Sequence, residues 1–254
     1  KNKIITLPKI GDVKIRGYRN ISNITSKIIN ANISKKSNKY YVSVVVKENI
    51  KEIDKSLTSI IGIDLGIKNM VVTSNGLKIT NPNKERLNRL KKRLKGLNKA
   101  LSRSMKGSNN RRKLIDKINT LYSKINNLKK HLINDIANII TEENDIICME
   151  DLDIKSMYQT HTIAQRLTDI PLYNLINMIK WKCKLKGNKY IQIDRYYKSS
   201  QECSSCGKIN KNLKDLKIRK WECESCGSLH DRDINAGINV MFEGLKKYMK
   251  ERYA

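Results

Sequence analysis

Four cysteines constrain the fold of this chain more than any other feature of its sequence. They form two C-x-x-C pairs, Cys203/Cys206 and Cys223/Cys226, with 16 residues between the pairs and a glycine after each pair. Two residues between cysteines let both thiolates face one ion, and four thiolates complete a tetrahedron. A closed shell of four cysteines leaves no position for water. The pattern therefore predicts a structural Zn²⁺ that stabilises a short segment with little apolar core of its own.

Two disulfides or a redox centre are the alternatives for these four cysteines. Disulfides suit secreted proteins, and the sequence has no charged start followed by an apolar run of signal-peptide type. A thioredoxin-type centre needs one C-x-x-C between a strand and a helix. Zinc is therefore favoured. Cys148 and Cys183 lie in apolar segments and are interpreted as buried thiols, and His230 is the weaker ligand candidate because four cysteines are already present.

The charge of the chain indicates its class of partner. Lys and Arg number 52 against 24 Asp and Glu, so the net charge is +28 at pH 7. Such an excess repels itself unless a polyanion offsets it, and nucleic acid is the commonest one. An anionic membrane surface and a biased composition are the alternatives. Because no apolar stretch is long enough to span a bilayer, we expect a soluble intracellular protein that binds nucleic acid and no membrane.

Apolar runs with β-branched residues predict the strands. Residues 1–57 contain two such runs, 13–17 and 40–46, and are expected to form a small β domain. Residues 60–66 and 70–73 predict a hairpin with Asp64 in its first strand. Residues 145–150 predict a buried strand that ends at Glu150, and residues 190–193 predict another short strand.

Leucine and isoleucine at helical spacing predict a pair of long helices between residues 84 and 140, separated by the polar residues 106–110. The outer faces of this hairpin are strongly basic and are the expected nucleic-acid contacts; the candidates are Arg86, Arg89, Lys92, Arg93, Arg111 and Arg112. A further helix is predicted over 171–186, ended by Gly187, and a terminal helix is predicted to open near Asp231.

Three acids are candidates for a magnesium site. Asp64 and Glu150 lie in or at the end of apolar runs, where an unpaired carboxylate costs several kcal/mol unless a cation or donor meets it. Asp233 falls in the first turn of the terminal helix if Asp231 is its N-cap, and residues two apart on a helix face different directions. Mg²⁺ prefers such hard carboxylate oxygens, and two ions can activate water and stabilise a leaving oxygen at a phosphodiester. A strand-end acid that caps a turn or pairs with lysine is the alternative for each one.

The order and spacing of four motifs resemble the TnpB family of transposon-encoded RNA-guided endonucleases, which are similar to type V CRISPR effectors. The motifs are residues 62–66, residues 149–152, the paired C-x-x-C and residues 231–236. The resemblance covers about residues 57–250. It implies an α/β fold, a RuvC nuclease domain of the RNase H-like type with a mixed sheet, an inserted helical hairpin and a four-cysteine zinc ribbon, preceded by a small β domain.

The resemblance also implies a domain division and a set of functional residues. It divides the chain into a partial wedge-like β-barrel domain (1–57), a RuvC-like domain (58–195, with the hairpin at 84–140), a zinc ribbon (196–230) and a final RuvC helix (231–254). Asp64, Glu150 and Asp233 would hold two Mg²⁺ ions, and Asp231 would either support these ligands or cap the final helix. Guide RNA and target DNA would be the partners, and the protein would act in the prokaryotic cytoplasm, associated with the nucleoid.

The chain departs from the family in two ways. Family members carry a longer N-terminal part, and because this sequence begins at Lys1 we expect residues upstream. Gly237 stands where the family commonly has alanine, which predicts a loss of about 1 kcal/mol of helix propensity and no effect on chemistry.

Additional contacts with nucleic acid are expected near the zinc segment. Arg195, Ser199 and Ser200 are candidates for touching substrate phosphate. Tyr196, Tyr197 and Trp221 are interpreted first as packing residues and second as platforms for unpaired bases. Two other functions remain open at this point: a catalytically silent zinc-ribbon nucleic-acid-binding regulator, and a guide-free nuclease acting on transposon DNA.

Overall fold

The computed structural model describes residues 3–16, 27–36, 39–47, 56–159, 167–215 and 217–253; His161 lies outside them. The chain divides into two units, Lys1–Lys51 and Glu52–Ala254. Within the described residues, no helix combines the length and apolar character needed to cross a membrane.

The first unit consists of two antiparallel hairpins. β1 (Lys3–Leu7) pairs with β2 (Gly11–Ile15), and β3 (Lys27–Lys36) pairs with β4 (Lys39–Lys47). β4 alternates partly buried and exposed side chains, as expected for a strand with one covered face. No side chain in the described part of this unit is fully buried.

A mixed five-stranded sheet is the centre of the second unit. Its strands are β5 (Ile60–Asp64), β6 (Val71–Thr73), β7 (Lys78–Ile79), β8 (Ile146–Met149) and β9 (Lys189–Gln192), in the order β7-β6-β5-β8-β9. β5, β8 and β9 are parallel, whereas β6 and β7 are antiparallel additions. The predicted hairpin and both later strands are confirmed, and β7 is a strand that the sequence pattern did not predict.

Helices cover both faces of this sheet. On one face lie α2 (Asn109–Glu143) and α4 (Leu172–Lys186), and on the other lies α5 (Arg232–Tyr253). Because side chains alternate along a strand, Ile63 and Met149 pack on the α2 and α4 side, whereas Cys148 packs with Val240 of α5. The described residues also include α1 (Lys84–Arg103), the short helix α3 (Ile154–Met157) and a 3₁₀ turn at Lys211–Lys214.

α5 packs unusually close to the sheet, and glycines make this possible. A Cβ on Gly62 would lie 2.0 Å from the carbonyl oxygen of Gly237 and 2.5 Å from the backbone nitrogen of Met241. A Cβ on Gly237 would lie 3.0 Å from the backbone nitrogen of Ser74. Beyond the cost in helix propensity that the sequence predicts, Gly237 therefore also lies at the helix–sheet contact.

The predicted helical hairpin is confirmed, with α1 and α2 joined by residues 104–108. Ser108 caps α2 by accepting a hydrogen bond from the backbone N–H of Arg111. The Arg111 guanidinium in turn donates to the carbonyl of Leu101, at 2.8 Å, and to Ser104. Arg111 thus joins the two helices. Gly187 ends α4 in the left-handed conformation, at φ 73°, as predicted.

Residues 196–230, called the cysteine segment below, add a two-stranded sheet to the second unit. β10 (Lys220–Glu222) pairs with β11 (Leu229–Asp231), and β11 leads directly into α5. A small core of Cys203, Leu213, Trp221 and Cys223 lies beneath it, with Ile218 packed against this core.

Candidate metal centres

The sheet topology brings Asp64 and Glu150 together. Asp64 is the last residue of β5, and Glu150 directly follows β8. The two strands are parallel neighbours with Ile63 opposite Met149, so the two acids occupy matching positions at the same sheet edge. Both also share the face of Gly62 and Cys148, which α5 covers. Asp233, in the first turn of α5, acts electrostatically on Asp64 from that side.

The surroundings of Asp64 disfavour its charged form. Burial, followed by the negative charges of Glu150 and Asp233, raises the pKa of Asp64 to about 7, against the opposing effects of Arg232 and Arg219. Burial also raises the pKa of Glu150, although a hydrogen bond from the Ser199 hydroxyl favours its charged form. A cation at this edge would relieve the repulsion and stabilise the ionised carboxylates.

Asp233 is turned toward a basic residue of the cysteine segment. Arg219 Nη1 donates to Asp233 Oδ1 at 3.0 Å. Across the described ranges, the four cysteines are the only group of three or more potential ligands whose atoms all lie within 4.8 Å of one another. The carboxylates are therefore more widely spaced than the cysteine thiols, and Arg219 balances part of their charge.

Asp231 serves the helix rather than the other acids. Its Oδ1 accepts the backbone N–H groups of Asp233, at 3.2 Å, and of Ile234, at 3.3 Å, which is N-cap geometry. Its Oδ2 accepts from Lys78 Nζ at 2.6 Å. Burial by itself would raise the pKa of Asp231, but Lys78 and the two backbone donors hold it below its ordinary value. The predicted N-cap is confirmed, and Asp231 and Asp233 face different partners.

The four cysteine thiols are arranged as a tetrahedral metal site requires. Cys203 and Cys226 sulfurs are 3.7 Å apart, as are Cys206 and Cys223 sulfurs. A tetrahedron with Zn–S bonds of about 2.3 Å has sulfurs about 3.8 Å apart, so the donor set fits this ion. Gly207 and Gly227 both have positive φ, 76° and 71°.

The two C-x-x-C-G turns, residues 203–207 and 223–227, are called knuckles below and share one hydrogen-bonding pattern. In each, the N–H of the glycine donates to the carbonyl of the pair's first cysteine at 2.8 Å. Hydrogen bonding with Ser228 lowers the pKa of Cys226 to about 6, which favours its thiolate. Against the lowering effect of the Lys208 backbone hydrogen bond, burial and the other three cysteines raise the pKa of Cys206 to about 11. The cluster can hold a metal such as zinc.

His230 lies beside the cysteine cluster. Its Nε2 is 3.1 Å from Cys203 Sγ, and its ring packs on Trp221 with centroids 4.6 Å apart. Burial lowers the pKa of His230 and so favours the neutral imidazole. Trp221 is 8% exposed and Tyr197 is partly buried against the α5-side core, so packing is confirmed for both. Tyr196 is 85% exposed, so packing is not confirmed for it.

The candidate nucleic-acid contacts fall into two groups. Arg86, Arg89, Lys92, Arg93 and Arg112 are exposed on the hairpin. The others are engaged within the protein: Arg111 joins α1 to α2, Arg195 donates to Asp151 at 2.7 Å, and buried Ser199 donates to Glu150. Ser200 is half-buried.

Four residues at or beside the candidate site were not predicted from the sequence. Lys78 and Arg219 carry no motif and are recognisable only from their partners Asp231 and Asp233. Asn235 and Asn239 are buried on α5 and donate to carbonyls at the start of the cysteine segment. Their signal was present, because two asparagines four residues apart on an otherwise apolar helix face need buried partners.

Comparisons with known families agree with this architecture. Residues 39–161 match the family OrfB_IS605, described as "Probable transposase", and residues 173–240 match the family "Cas12f1-like, TNB domain". A protein of Streptomyces pristinaespiralis named "Putative RNA-guided DNA endonuclease" is 32% identical over 210 residues, which are 83% of this chain and 51% of that protein. The resemblance to the TnpB family is confirmed.

A second curated relative and two solved structures extend the comparison. InsQ of Escherichia coli K12, named in the same words, is 26% identical over 96% of this chain and 63% of its own length. A CRISPR-Cas12f ternary complex superposes with a TM-score of 0.58 at 22% identity, covering 83% of this chain and 44% of that one. A Cas12f1-sgRNA-target DNA complex gives 0.53 at 20%, covering 82% and 55%. These structures show a shared mixed α/β fold. The chain spans about half the length of the Streptomyces relative.

Proposed function

We propose that this TnpB-like chain is the nuclease part of a transposon-encoded, RNA-guided DNA endonuclease. The observation that carries the proposal is that Asp64 and Glu150 lie at the ends of parallel neighbouring strands, where burial and the negative charges of Glu150 and Asp233 raise the pKa of Asp64 to about 7. A buried carboxyl whose charge is opposed in this way is typical of a functional site.

In this proposal the second unit is a RuvC domain of the RNase H-like type. The strand order β7-β6-β5-β8-β9, with α2 and α4 on one face and α5 on the other, supports it. Residues 1–57 would be the wedge-like domain, 58–195 the RuvC body with its hairpin at 84–140, 196–230 the zinc ribbon and 231–254 the final RuvC helix.

Asp64, Glu150 and Asp233 would hold two Mg²⁺ ions. Bound there, the ions would activate a water for attack on a phosphodiester and stabilise the leaving oxygen, so that DNA is hydrolysed. The protein's own groups prepare the site. The Ser199 hydroxyl donates to Glu150 and favours its charged form, Arg219 balances Asp233, and Asp231 caps the helix that carries Asp233.

Guide RNA and target DNA are the proposed partners. The names of the relatives and the nucleic acids in the Cas12f complexes support this assignment. The net charge of +28 and the exposed cations of the hairpin provide the surface that would hold the phosphate backbone. Action on DNA would place the protein with the nucleoid in a prokaryotic cytoplasm.

The decisive test is a comparison of Asp64→Ala with Asp116→Ala. Asp116 is an exposed acid on α2 and serves as the matched control. Asp64→Ala should lower Mg²⁺-dependent cleavage of guided target DNA by at least about 10³-fold, which is about 4 kcal/mol, while guide and target binding stay within twofold. Asp116→Ala should cut normally. Unchanged cutting by Asp64→Ala would refute the catalytic assignment.

Sequencing the nucleic acid that copurifies with the chain separates the remaining alternatives. A guided nuclease should carry RNA with a defined constant part and variable ends. Binding without cleavage at any divalent metal would instead identify a silent regulator. Cleavage of transposon DNA without RNA would identify a guide-free nuclease.

A further inference from the structure

Two buried asparagines connect the cysteine segment to the carboxylate edge. Asn235 and Asn239 are 1% and 3% exposed and lie four residues apart on α5, so both face the same neighbour. That neighbour is the backbone of residues 199–204, which enters the first cysteine knuckle.

The two amides hold this backbone at several points. Asn239 Nδ2 donates to the carbonyls of Ser199 and Glu202, each at 2.7 Å. Asn235 Nδ2 donates to the Glu202 carbonyl at 2.7 Å, and its Oδ1 accepts the N–H of Ser204 at 2.9 Å. Cys203 lies between these attachment points, so the first knuckle is fixed directly to α5.

The same backbone presents a side chain to the carboxylate site. Ser199 is 5% exposed, its carbonyl is held by Asn239, and its hydroxyl donates to Glu150 Oε1. Its rotation is limited because the backbone on which it sits is hydrogen-bonded to a helix. A chain of contacts therefore runs from the cysteine knuckle through Asn239 and Ser199 to Glu150.

A second attachment lies at the other end of the cysteine segment. Buried Arg232 donates from Nη1 to the carbonyl of Asp215 at 2.7 Å, and its backbone N–H donates to the carbonyl of Arg219 at 2.9 Å. Arg219 itself pairs with Asp233. The cysteine segment thus touches two of the three acids, at Glu150 through Ser199 and at Asp233 through Arg219.

We propose that Asn239 and Asn235 are positioning residues that couple metal occupancy of the cysteine cluster to divalent-metal binding at the carboxylates. The inference rests on the proposed function, since it requires the carboxylates to bind a divalent ion. A folded knuckle would hold Ser199 against Glu150, and loss of zinc would release it. Groups that orient a metal ligand in this way are worth about 10- to 100-fold in metal affinity. Coupling of this kind is reciprocal.

The test measures Mn²⁺ binding to the zinc-loaded chain by electron paramagnetic resonance, with no nucleic acid and no turnover. Asn239→Ala should weaken Mn²⁺ binding by about tenfold or more. The matched control is Asn188→Ala. Asn188 is equally buried and donates to the carbonyls of Thr141 and Asn144, remote from the acids, so this variant should bind Mn²⁺ within twofold of the unmodified chain.

Substitutions at Ser199 distinguish positioning of Glu150 from a general effect of Asn239 on the stability of the fold. Ser199→Ala should weaken Mn²⁺ binding, whereas Ser199→Thr keeps a hydroxyl and should bind Mn²⁺ as the unmodified chain does. In the Ser199→Ala background, Asn239→Ala should weaken Mn²⁺ binding little further, because both residues act through one hydroxyl. Removing zinc from the unmodified chain should weaken Mn²⁺ binding comparably, which tests the coupling even if Asn239→Ala does not fold.

Equal Mn²⁺ affinity in the zinc-loaded, zinc-free and Asn239→Ala proteins would overturn the inference, and so would full additivity of the two substitutions. Asp64→Asn separates this failure from failure of the proposed function. If Asp64→Asn binds Mn²⁺ as the unmodified chain does, the carboxylates are not the site, and both proposals fall together.

Discussion

The surroundings of Asp64 oppose its charge strongly. Its folded-state pKa of about 7 lies above its ordinary value of 3.8, so the folded protein holds a proton that the unfolded chain has released. Below about pH 4 the carboxyl is protonated in both states, and the free energy of unfolding has its full value. As the pH rises through 7 the folded carboxyl ionises, and that part of the free energy of unfolding is lost. Without added magnesium, the zinc-loaded protein should therefore lose stability over this range.

Asp64→Asn removes that dependence. At pH 8 the variant should be more stable than the unmodified chain by up to about 4 kcal/mol, less in practice because the carboxylate retains some contact with solvent. Near pH 4 the difference should vanish. Urea unfolding at the two pH values, with zinc loaded and no magnesium, measures it. Equal stability of the two proteins at pH 8 would contradict the raised pKa.

At the scale of elements, the contact between α5 and the sheet depends on Gly62. A methyl group at this position would overlap the Gly237 carbonyl at 2.0 Å, and backbone atoms cannot rotate away. Gly62→Ala should cost at least about 3 kcal/mol of unfolding free energy.

Gly96→Ala is the control for Gly62→Ala. Gly96 is exposed on α1 with open space around it, so this variant should gain roughly 0.5 to 1 kcal/mol. Chemical denaturation compares the two, and a mild loss in Gly62→Ala would mean that α5 can move off the sheet.

We expect the fold of the cysteine segment to depend on a bound metal. Among its described residues the core has four buried side chains, one of them Trp221 at 8% exposed. Chelation of zinc should unfold about residues 198–230 and shift Trp221 emission to the red, because the indole becomes solvated. Trp181→Phe removes the second, half-exposed tryptophan and isolates the signal. Emission that ignores chelation would show that the segment folds without metal.

Elements with a clear period or spacing could be predicted from the sequence, and contacts made through single side chains could not. The hairpin helices, the strand ending at Glu150 and the N-cap at Asp231 follow from local patterns that the structure repeats. β7 has only two residues and carries no period. Arg219 reaches Asp233 only because the cysteine segment folds back onto α5, and nothing local to Arg219 indicates this.

At the scale of the whole molecule, α5 contacts both the sheet and the cysteine segment. The chain carries a net charge of +28, and a field of that sign attracts nucleic acid and opposes the repulsion that a phosphodiester meets at carboxylates. Attraction of this kind acts over about a Debye length and weakens with added salt.

The salt dependence of binding tests whether the exposed cations of α1 contact nucleic acid. Arg86, Arg89, Lys92 and Arg93 are exposed within three turns of the helix, and none makes an ion pair with another described residue. Each phosphate contact contributes about 0.9 to the slope of log affinity against log salt. Replacing all four with Gln should therefore reduce the slope for duplex binding by up to about 3 to 4, with a larger affinity loss at low salt than at high salt. Replacing the three arginines with Lys keeps the charge and should leave the slope unchanged. Filter binding across a salt series measures both variants, and equal slopes for the Gln variant and the unmodified chain would show that nucleic acid contacts another face.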